Sequence, residues 1–455
     1  MLITKEILIR RALIILFWIW ATFGFVADEI LPTLEGMRVG INLLLDAALI
    51  VLGLFTLRDK EDKVLLLSFL AIGFVSTCIA NRLSTVNFLN GCRDFFAMLF
   101  VPPILKYFLD DDRRRERFIK TFDRHLWVFL ILQAPCLIYQ FLKYGANDHG
   151  GGSLGNGFSG IISTLIYITS FYLISKNFDR ERYFHSLRKN IWLIVLLFPT
   201  FLNETKISFV FFLLYFLLLL KFDKSLIMKL AIGTPIFLVG LYFAFNMYLS
   251  SSGNEEDITD LEYYMESYLM IDDSDQLIDL AERLDEGEFG EDDDWSVDLP
   301  RFSRILLMPA VTARSDGGIF FGAGLSQFKG MSFLEQTKFA KEFEWFVNGT
   351  VLSSQMIFAQ LGILGVIWAL AYFIVIFRHN KRPSRDKYLR SFIIIIFLLV
   401  MLYNQSLRFP VFCIPVFYFL FRANNPSTQT GIIDENNEPP TERTEIIHEQ
   451  QPAID

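Results

Sequence analysis

The sequence predicts an all-α polytopic membrane protein, and three observations support that fold class. Hydrophobic residues make up 53% of the 455 residues. Charged residues make up only 20%, against roughly 25% in a typical soluble domain. Apolar runs of roughly 17–25 residues, the length that spans a bilayer, recur along the chain. A soluble globular protein is therefore excluded, and a β-barrel is disfavoured because the runs are continuous rather than alternating.

About twelve transmembrane helices are expected, and they divide the chain into four parts. Helices one to nine lie within residues 1–249, one large loop covers 250–349, helices ten to twelve lie within 350–421, and a tail covers 422–455. The tail is polar and rich in Asn, Pro and Glu, so we expect it to be disordered. The spans are predicted at residues 11–27, 39–57, 64–81, 95–109, 125–143, 158–175, 191–203, 205–220, 226–249, 350–377, 391–404 and 409–421.

Loops rich in Lys and Arg alternate with poorer loops, which predicts an orientation. The basic loops, such as 58–63, 110–124 and 378–390, all fall on one side under the twelve-span count. The positive-inside rule assigns that side to the cytoplasm. Both termini are then expected in the cytoplasm, and the large loop outside it.

The net charge of −8 is unevenly distributed. Residues 251–300 hold 19 acidic residues and one basic residue, Arg283, so this stretch carries −18 and the rest of the chain carries +10. This acidic half of the large loop is either a solvated spacer or a lid or partner surface. Because the acidity is local, nucleic-acid binding has no support. The four cysteines show no metal-ligand spacing, and we expect no metal centre and no cofactor.

Cations on the predicted outer side of the membrane are the main functional signal, because they oppose the positive-inside rule. Arginine offers a planar fork to oxyanions and lysine a point charge, so the set favours a phosphate or pyrophosphate site. Each cation alone is also explained by contact with ordinary phospholipid or by pairing with a nearby acid, such as Arg93 with Asp94. The candidates are Arg82, Arg93, Lys206, Arg304, Arg314 and Arg408.

Three further features each allow two interpretations. Asp46 lies inside the second span, where a carboxylate is costly unless it is paired; it is either a structural partner for a cation or a functional group. Glu204 and Lys206 interrupt an apolar run, as a tight turn or as part of a site. The Gly-rich segment 150–160 either lets the backbone approach a ligand or is simply flexible, and it lacks the ending of a P-loop.

Four local patterns occur in an order that resembles the O-antigen polymerase and O-antigen ligase superfamily of bacterial surface-polysaccharide enzymes. Ligases of this superfamily use a histidine in the large loop, and residues 250–349 contain none. The resemblance is therefore to the polymerase-like branch. The patterns are an arginine-led helix in LNGCRDFFAMLFVPPIL (89–105), paired helices around a polar turn in FPTFLNETKISFVFFLLYFLL (198–218), Gly322 and Gly324 in GGIFFGAGLSQF (317–328), and Gly362 and Gly365 in NGTVLSSQMIFAQLGILGVIWAL (348–370).

The resemblance implies a multi-pass protein of the bacterial inner membrane that polymerises oligosaccharide repeats carried on undecaprenyl pyrophosphate. It implies a metal-independent transfer to an acceptor sugar hydroxyl, with membrane lipid and a chain-length regulator protein as further partners. The cations and two glycines, Gly322 and Gly324, would bind the substrate. The candidate general bases are Glu344, Asp316 and Glu204, followed by His149, and the aromatic residues that could stack on sugars are Trp295, Phe302, Trp345 and Phe346.

Two other functions remain open. A transporter or flippase of lipid-linked sugar would make Asp46 and cavities within the membrane the decisive features. A ligase that joins glycan to lipid or protein would need the histidine that the large loop lacks.

Overall fold

The structure is a computed structural model that describes seven stretches of the chain. All regular structure within them is helical, and they contain no strand. Six helical segments are long and apolar enough to cross a membrane, so the chain is an all-α membrane protein. The described stretches are residues 5–145, 149–202, 207–220, 301–328, 334–343, 352–379 and 387–424.

The first part of the chain supplies ten helices. Turns of π-helix at Val26–Ile30 and Val75–Ala80 extend α1 and α3, and a 3-10 turn at Arg93–Phe95 joins α4 to α5. The helices are α1 (Lys5–Phe25), α2 (Arg38–Thr56), α3 (Lys60–Phe74), α4 (Thr85–Cys92), α5 (Phe96–Leu109), α6 (Asp112–Tyr144), α7 (Ser159–Ser175), α8 (Tyr183–Lys189), α9 (Ile191–Val195) and α10 (Ile207–Leu219).

Six more helices follow in the described residues after 300. Three short ones precede the last three long ones, and a 3-10 turn at Ser406–Arg408 leads into the final helix. They are α11 (Arg301–Thr312), α12 (Gly318–Phe321), α13 (Lys338–Glu342), α14 (Ser353–Arg378), α15 (Lys387–Tyr403) and α16 (Pro410–Asn424).

Each predicted span within the described residues coincides with a helical segment, whereas the count of twelve membrane crossings stays a prediction. The predicted span 226–249, the acidic stretch 251–300 and the tail after residue 424 lie outside the described residues. The stretch 82–94 between two predicted spans is not irregular throughout, because α4 and the following 3-10 turn make residues 85–94 helical. Ser84 caps α4, where its hydroxyl accepts a hydrogen bond from the backbone N–H of Asn87 at 3.4 Å.

Helices α5 and α7 lie at the centre of the bundle. Almost every residue of both is buried, whereas α2 and α3 bury one face each. A helix that is apolar all round suits this central position, because packed neighbours surround it. Most of the ion pairs within the described residues lie near the two ends of the bundle, whereas hydroxyls such as those of Ser163 and Thr169 are buried between them.

Contacts between helix termini define these two ends. At one end, which we call the Arg93 end, Lys143 of α6 pairs with Glu29, just after α1. At the other, the Lys106 end, His379 follows α14 and contacts Asp110, which follows α5.

Candidate functional site

Two ion pairs at the Arg93 end join helices that are distant in sequence. The Nε atom of Arg93 lies 2.8 Å from Oδ2 of Asp46 in α2. The Nε atom of Arg408 lies 2.7 Å from Oδ1 of Asp94. The considered pairing of Arg93 with Asp94 is wrong, because adjacent residues of a helical turn point in different directions. These four side chains, which we call the arginine cluster, explain how the bundle accommodates Asp46.

The arginine cluster is only partly shielded from solvent. The side chains of Arg93 and Arg408 are 22% and 36% exposed, while Asp94 is 2% exposed. Each guanidinium meets its carboxylate through Nε, which leaves the two Nη groups for other contacts. Nη1 of Arg93 donates to Oδ1 of Asn90 at 3.4 Å, and Nη2 has no hydrogen-bond partner in the described part of the chain. Arginines held in this way are preorganised donors for an oxyanion.

A cleft of about 90 Å³ is lined by sequence neighbours of Asp46 and Arg408, although not by the four side chains of the arginine cluster themselves. Asn42 lines it and lies one helical turn before Asp46 on α2, and Phe409 lines it directly after Arg408. An apolar cleft with a few polar groups is the usual form of a small-molecule site. Its main aromatic and polar lining residues are Trp20, Phe23, Phe158, Phe409, Arg38 and Asn42.

The Gly-rich segment lies beside this cleft and is buried from Gly150 to Gly155. Two glutamines of α6 hold its backbone: Oε1 of Gln140 accepts from the N–H of Gly152 at 2.7 Å, and Oε1 of Gln133 accepts from the N–H of Ser153 at 2.9 Å. Irregular backbone at membrane depth is tolerated when protein groups satisfy it in this way. The segment is therefore built into the bundle from Gly150 to Gly155, and both interpretations of it stay predictions.

Residues late in the predicted large loop lie at the Arg93 end and dock on α3 and α14. Ser76 donates to the carbonyl of Gln360 at 2.9 Å, and Asn81 donates to the carbonyl of Gly322 at 2.8 Å. The N–H of Gly324 also reaches the Gln360 carbonyl, at 3.1 Å. Residues 315–328 and 334–343, which we call the docked segment, are thereby fixed to the bundle.

Two glycines from the sequence segments 317–328 and 348–370 make this docking possible. Gly362 kinks α14 with φ of +62°, and a Cβ there would lie 2.5 Å from the carbonyl oxygen of Ile319. Gly322, with φ of +70°, faces it, and a Cβ there would lie 2.7 Å from the Gly362 nitrogen. Glycine is needed at both positions because the two backbones pack closely against each other and because both residues have a left-handed conformation.

Two of the predicted site residues, Arg93 and Arg408, lie close together in the structure, because Arg408 pairs with Asp94, the residue after Arg93. Arg82 is exposed, Arg314 is half-buried and Asp316 is exposed. Arg304 is buried on α11, at 4% exposure, which differs from the expected position at the membrane–water interface. Glu204, Lys206, Glu344, Trp295, Trp345, Phe346 and the side chain of Phe302 lie outside the described residues.

The sequence analysis missed the polar residues of α3 and α4 that hold the docked segment. Asn87 both donates to the carbonyl of Glu335, at 2.7 Å, and accepts from its N–H, at 3.2 Å. Asn90 donates to the hydroxyl of Ser326 at 3.1 Å. The signal available was the spacing of Asn87 and Asn90, which places both amides on one face of a helix.

The Lys106 end holds a group of metal-binding residue types that sequence spacing did not reveal. One ligand atom from each of Asp59, Asp110 and His379 lies within 4.8 Å of the others. His379 contacts Asp110 at 3.0 Å. The ammonium of Lys106 lies 3.8 Å from Asp59 and brings positive charge to the group. The fold brings this group together from distant segments, and the prediction of no metal centre stays a prediction.

No protein-family model matches this chain, and a comparison with curated proteins gives no match either. Function must therefore be argued from the residues themselves and from the geometry of the arginine cluster and its cleft.

Proposed function

We propose that this protein is a membrane glycosyltransferase that polymerises lipid-linked oligosaccharide repeat units. The donor would be an oligosaccharide on undecaprenyl pyrophosphate, and the product an O-antigen, capsule or exopolysaccharide chain. The observation that carries the proposal is the arginine cluster. Two guanidinium groups, each tethered through Nε, stand beside an aromatic-lined cleft at one end of a membrane bundle.

The arginine cluster suits a pyrophosphate leaving group for an electrostatic reason. In the transfer, an acceptor hydroxyl oxygen forms a bond to the anomeric carbon of the donor sugar. The bond from that carbon to the pyrophosphate oxygen breaks, and negative charge develops on the departing lipid pyrophosphate. Donors that are already oriented stabilise this charge without having to reorganise during the reaction. The Nη groups of Arg93 and Arg408 are the donors that we assign to this role.

The acceptor hydroxyl must lose a proton during the transfer, and a carboxylate is the proposed base. Asp316 is exposed at the start of the docked segment, next to Gly317, whose N–H donates to Asn81 at 3.1 Å. Glu344 and Glu204 remain the other two candidates. A positioned general base is typically worth about 10²–10⁴ in rate, so removal of the correct carboxylate should abolish most activity.

The proposed location is the bacterial inner membrane, with both termini in the cytoplasm and the Arg93 end facing outward. This orientation follows from the basic loops of the sequence. A membrane lipid and a chain-length regulator protein are the proposed partners. The proposed reaction needs no cofactor.

The decisive test compares neutral double variants at the two ends of the bundle. Arg93→Gln with Asp46→Asn removes both charges, so no uncompensated charge remains in the bundle. We expect the protein to fold and its polymerising activity to fall about 10²-fold, as when one oriented donor is lost from a site of developing charge. The measurement is the length distribution of surface polysaccharide in cells that lack the gene and carry each variant.

The matched control is Arg114→Gln with Asp111→Asn. Arg114 has nearly the same side-chain exposure, 20% against 22%, and it also pairs with an aspartate, but it lies at the Lys106 end. The control should support full-length chains. Equal activity of both double variants would show that the Arg93 pair is purely structural and would overturn the proposed site.

Cells without the gene separate this function from its alternatives. Chains that collapse to a single repeat unit on a normal anchor indicate lost polymerisation. Complete loss of surface glycan, with lipid-linked material accumulating in the membrane, would instead favour a transporter or a ligase.

A further inference from the structure

Ser326 has a backbone conformation that serines rarely adopt. Its φ is +66°, in the left-handed region that disfavours residues with a Cβ. The side chain is fully buried. Glycine would adopt this conformation without strain, so the hydroxyl is the group that serine adds here. Strained conformations of this kind persist where the surrounding structure holds them, and they occur often at functional sites.

The backbone around Ser326 is fixed by its neighbours. The N–H of Leu325 donates to the hydroxyl of Thr77 at 3.0 Å. On the other side, the segment approaches α4 so closely that a Cβ on Gly91 would lie 2.9 Å from the Ser326 nitrogen. The side chain of Ser326 is thereby directed at Asn90.

One amide connects Ser326 to the arginine cluster. Nδ2 of Asn90 donates to the Ser326 hydroxyl at 3.1 Å, and Oδ1 of the same amide accepts from Nη1 of Arg93 at 3.4 Å. The amide is planar, so holding one end fixes the direction of the other. Asn90 is 8% exposed, so little water is available to replace either contact.

We propose that Ser326 is a positioning residue for Arg93, acting through Asn90. The docked segment would then set the direction of the guanidinium that meets an anionic ligand. This inference rests on the proposed function, because it assigns Arg93 to the pyrophosphate. Nε is already fixed by Asp46, and the contact from Asn90 to Nη1 fixes the remaining rotation of the planar group.

The test measures inorganic pyrophosphate binding by the purified full-length protein in lipid nanodiscs. Ser326→Gly removes the hydroxyl and also relieves the backbone strain, whereas Ser326→Ala removes the hydroxyl alone. We expect both to weaken pyrophosphate binding about tenfold, equivalent to about 1.4 kcal/mol. Thermal unfolding of Ser326→Gly should occur at the same or a higher temperature than wild type. Weaker binding without lost stability distinguishes positioning from a merely structural role.

Ser315→Ala is the matched control within the docked segment. Its hydroxyl is also buried but bonds locally, to the carbonyl of Thr312 at 2.8 Å, and wild-type affinity is expected. If Ser326→Gly binds pyrophosphate as tightly as wild type while the double variant Arg93→Gln with Asp46→Asn binds weakly, the inference is overturned and the anion site stands. If that double variant also keeps wild-type affinity, the proposed anion site itself is wrong.

Discussion

The two ends of the bundle hold their charges in different ways. At the Lys106 end, Lys106 and Asp62 approach to 2.6 Å with side chains only 3% and 5% exposed. At the Arg93 end, Arg93 and Asp46 approach to 2.8 Å, but they are 22% and 17% exposed and lie beside a cleft. The first pair is closed to any ligand, whereas the second leaves donor groups at an accessible surface.

A second cluster at the Lys106 end is as exposed as the Arg93 pair, because the side chains of Lys176 and Asp123 are 22% and 18% exposed. Its carboxylate has more partners, however. Asp123 accepts hydrogen bonds from the hydroxyls of Tyr172 and Tyr418, at 2.9 and 2.8 Å, and from Lys176 at 2.6 Å. These contacts tie α6, α7 and α16 together. Carboxylates with several partners fix the arrangement of helices, while arginines that meet a carboxylate through Nε alone keep donors suited to bind an anion.

The largest expected effect is on stability, at the Lys106 end. Lys106→Met leaves the buried carboxylate of Asp62 without its cation, and breaking a buried pair in this way costs about 3–5 kcal/mol. The free energy of unfolding in detergent micelles measures the loss. The double variant Lys106→Met with Asp62→Leu should recover most of it, because no uncompensated charge remains. If Lys106→Met were as stable as wild type, the Lys106–Asp62 pair would not be a structural pair, and the contrast with the partly exposed Arg93–Asp46 pair would no longer hold.

An intermediate effect is expected at the Arg93 end from Gly362→Ala. The new Cβ would clash with the carbonyl of Ile319 and would impose φ of +62° on a residue with a side chain. Strain of this kind costs about 1–3 kcal/mol, and it should loosen the docked segment without unfolding the bundle. Limited proteolysis of residues 315–343 should become faster. Gly40→Ala in α2, where a new Cβ would meet no atom within 4 Å, is the comparison, and an unchanged cleavage rate in both variants would contradict the role assigned to the kink.

The smallest effect concerns the cap of α6 at the Lys106 end. The backbone N–H of Arg114 donates to the carboxylate of Asp111 at 3.0 Å and lowers the pKa of that carboxyl. A lowered pKa in the folded state means that the stabilisation is complete above the ordinary pKa. It is lost as pH falls through the lowered value. Asp111→Ala should therefore lower the unfolding temperature at pH 7, and the difference from wild type should shrink in acid.

Asp111→Asn is the control for this cap, because asparagine caps a helix without a titratable group. It should keep most of the wild-type stability at pH 7. A difference between Asp111→Ala and wild type that stays constant down to strongly acidic pH would contradict the assignment of the effect to the carboxylate.

The helices were predictable from sequence because an apolar run of membrane-spanning length can satisfy its own backbone hydrogen bonds in a bilayer only as a helix. The predicted span 39–57 differs by one residue at each end from α2, at Arg38–Thr56, and the predicted span 158–175 differs by one residue at its start from α7, at Ser159–Ser175. The helix within 82–94 was not predicted, because polar residues there indicated a loop. Their polarity instead serves buried hydrogen bonds inside a helix, and the partners lie more than 200 residues further along the chain.

The site was predictable in its residue types but not in its pairing. The positive-inside rule drew attention to Arg93 and Arg408, and the cost of a buried carboxylate drew attention to Asp46. Which acid meets which base depends on how three elements come together, namely α2 and the 3-10 turns at Arg93–Phe95 and Ser406–Arg408, and local sequence holds no information on that arrangement. The link from Arg93 through Asn90 to Ser326 was out of reach for the same reason.

The hydrogen bonds of the docked segment also have a consequence for biosynthesis. Four polar side chains form hydrogen bonds with partners that lie 236 to 284 residues further along the chain. They are those of Ser76, Asn81, Asn87 and Asn90. At about 5–20 residues per second, a ribosome needs roughly 10–50 s to make that length of chain. Throughout that interval the polar face of the third and fourth helices lacks its partners in the nascent chain. The Arg93 end is therefore among the last parts of the molecule to assemble, and a chain truncated before the docked segment would carry Arg93 without the contact from Ser326 through Asn90.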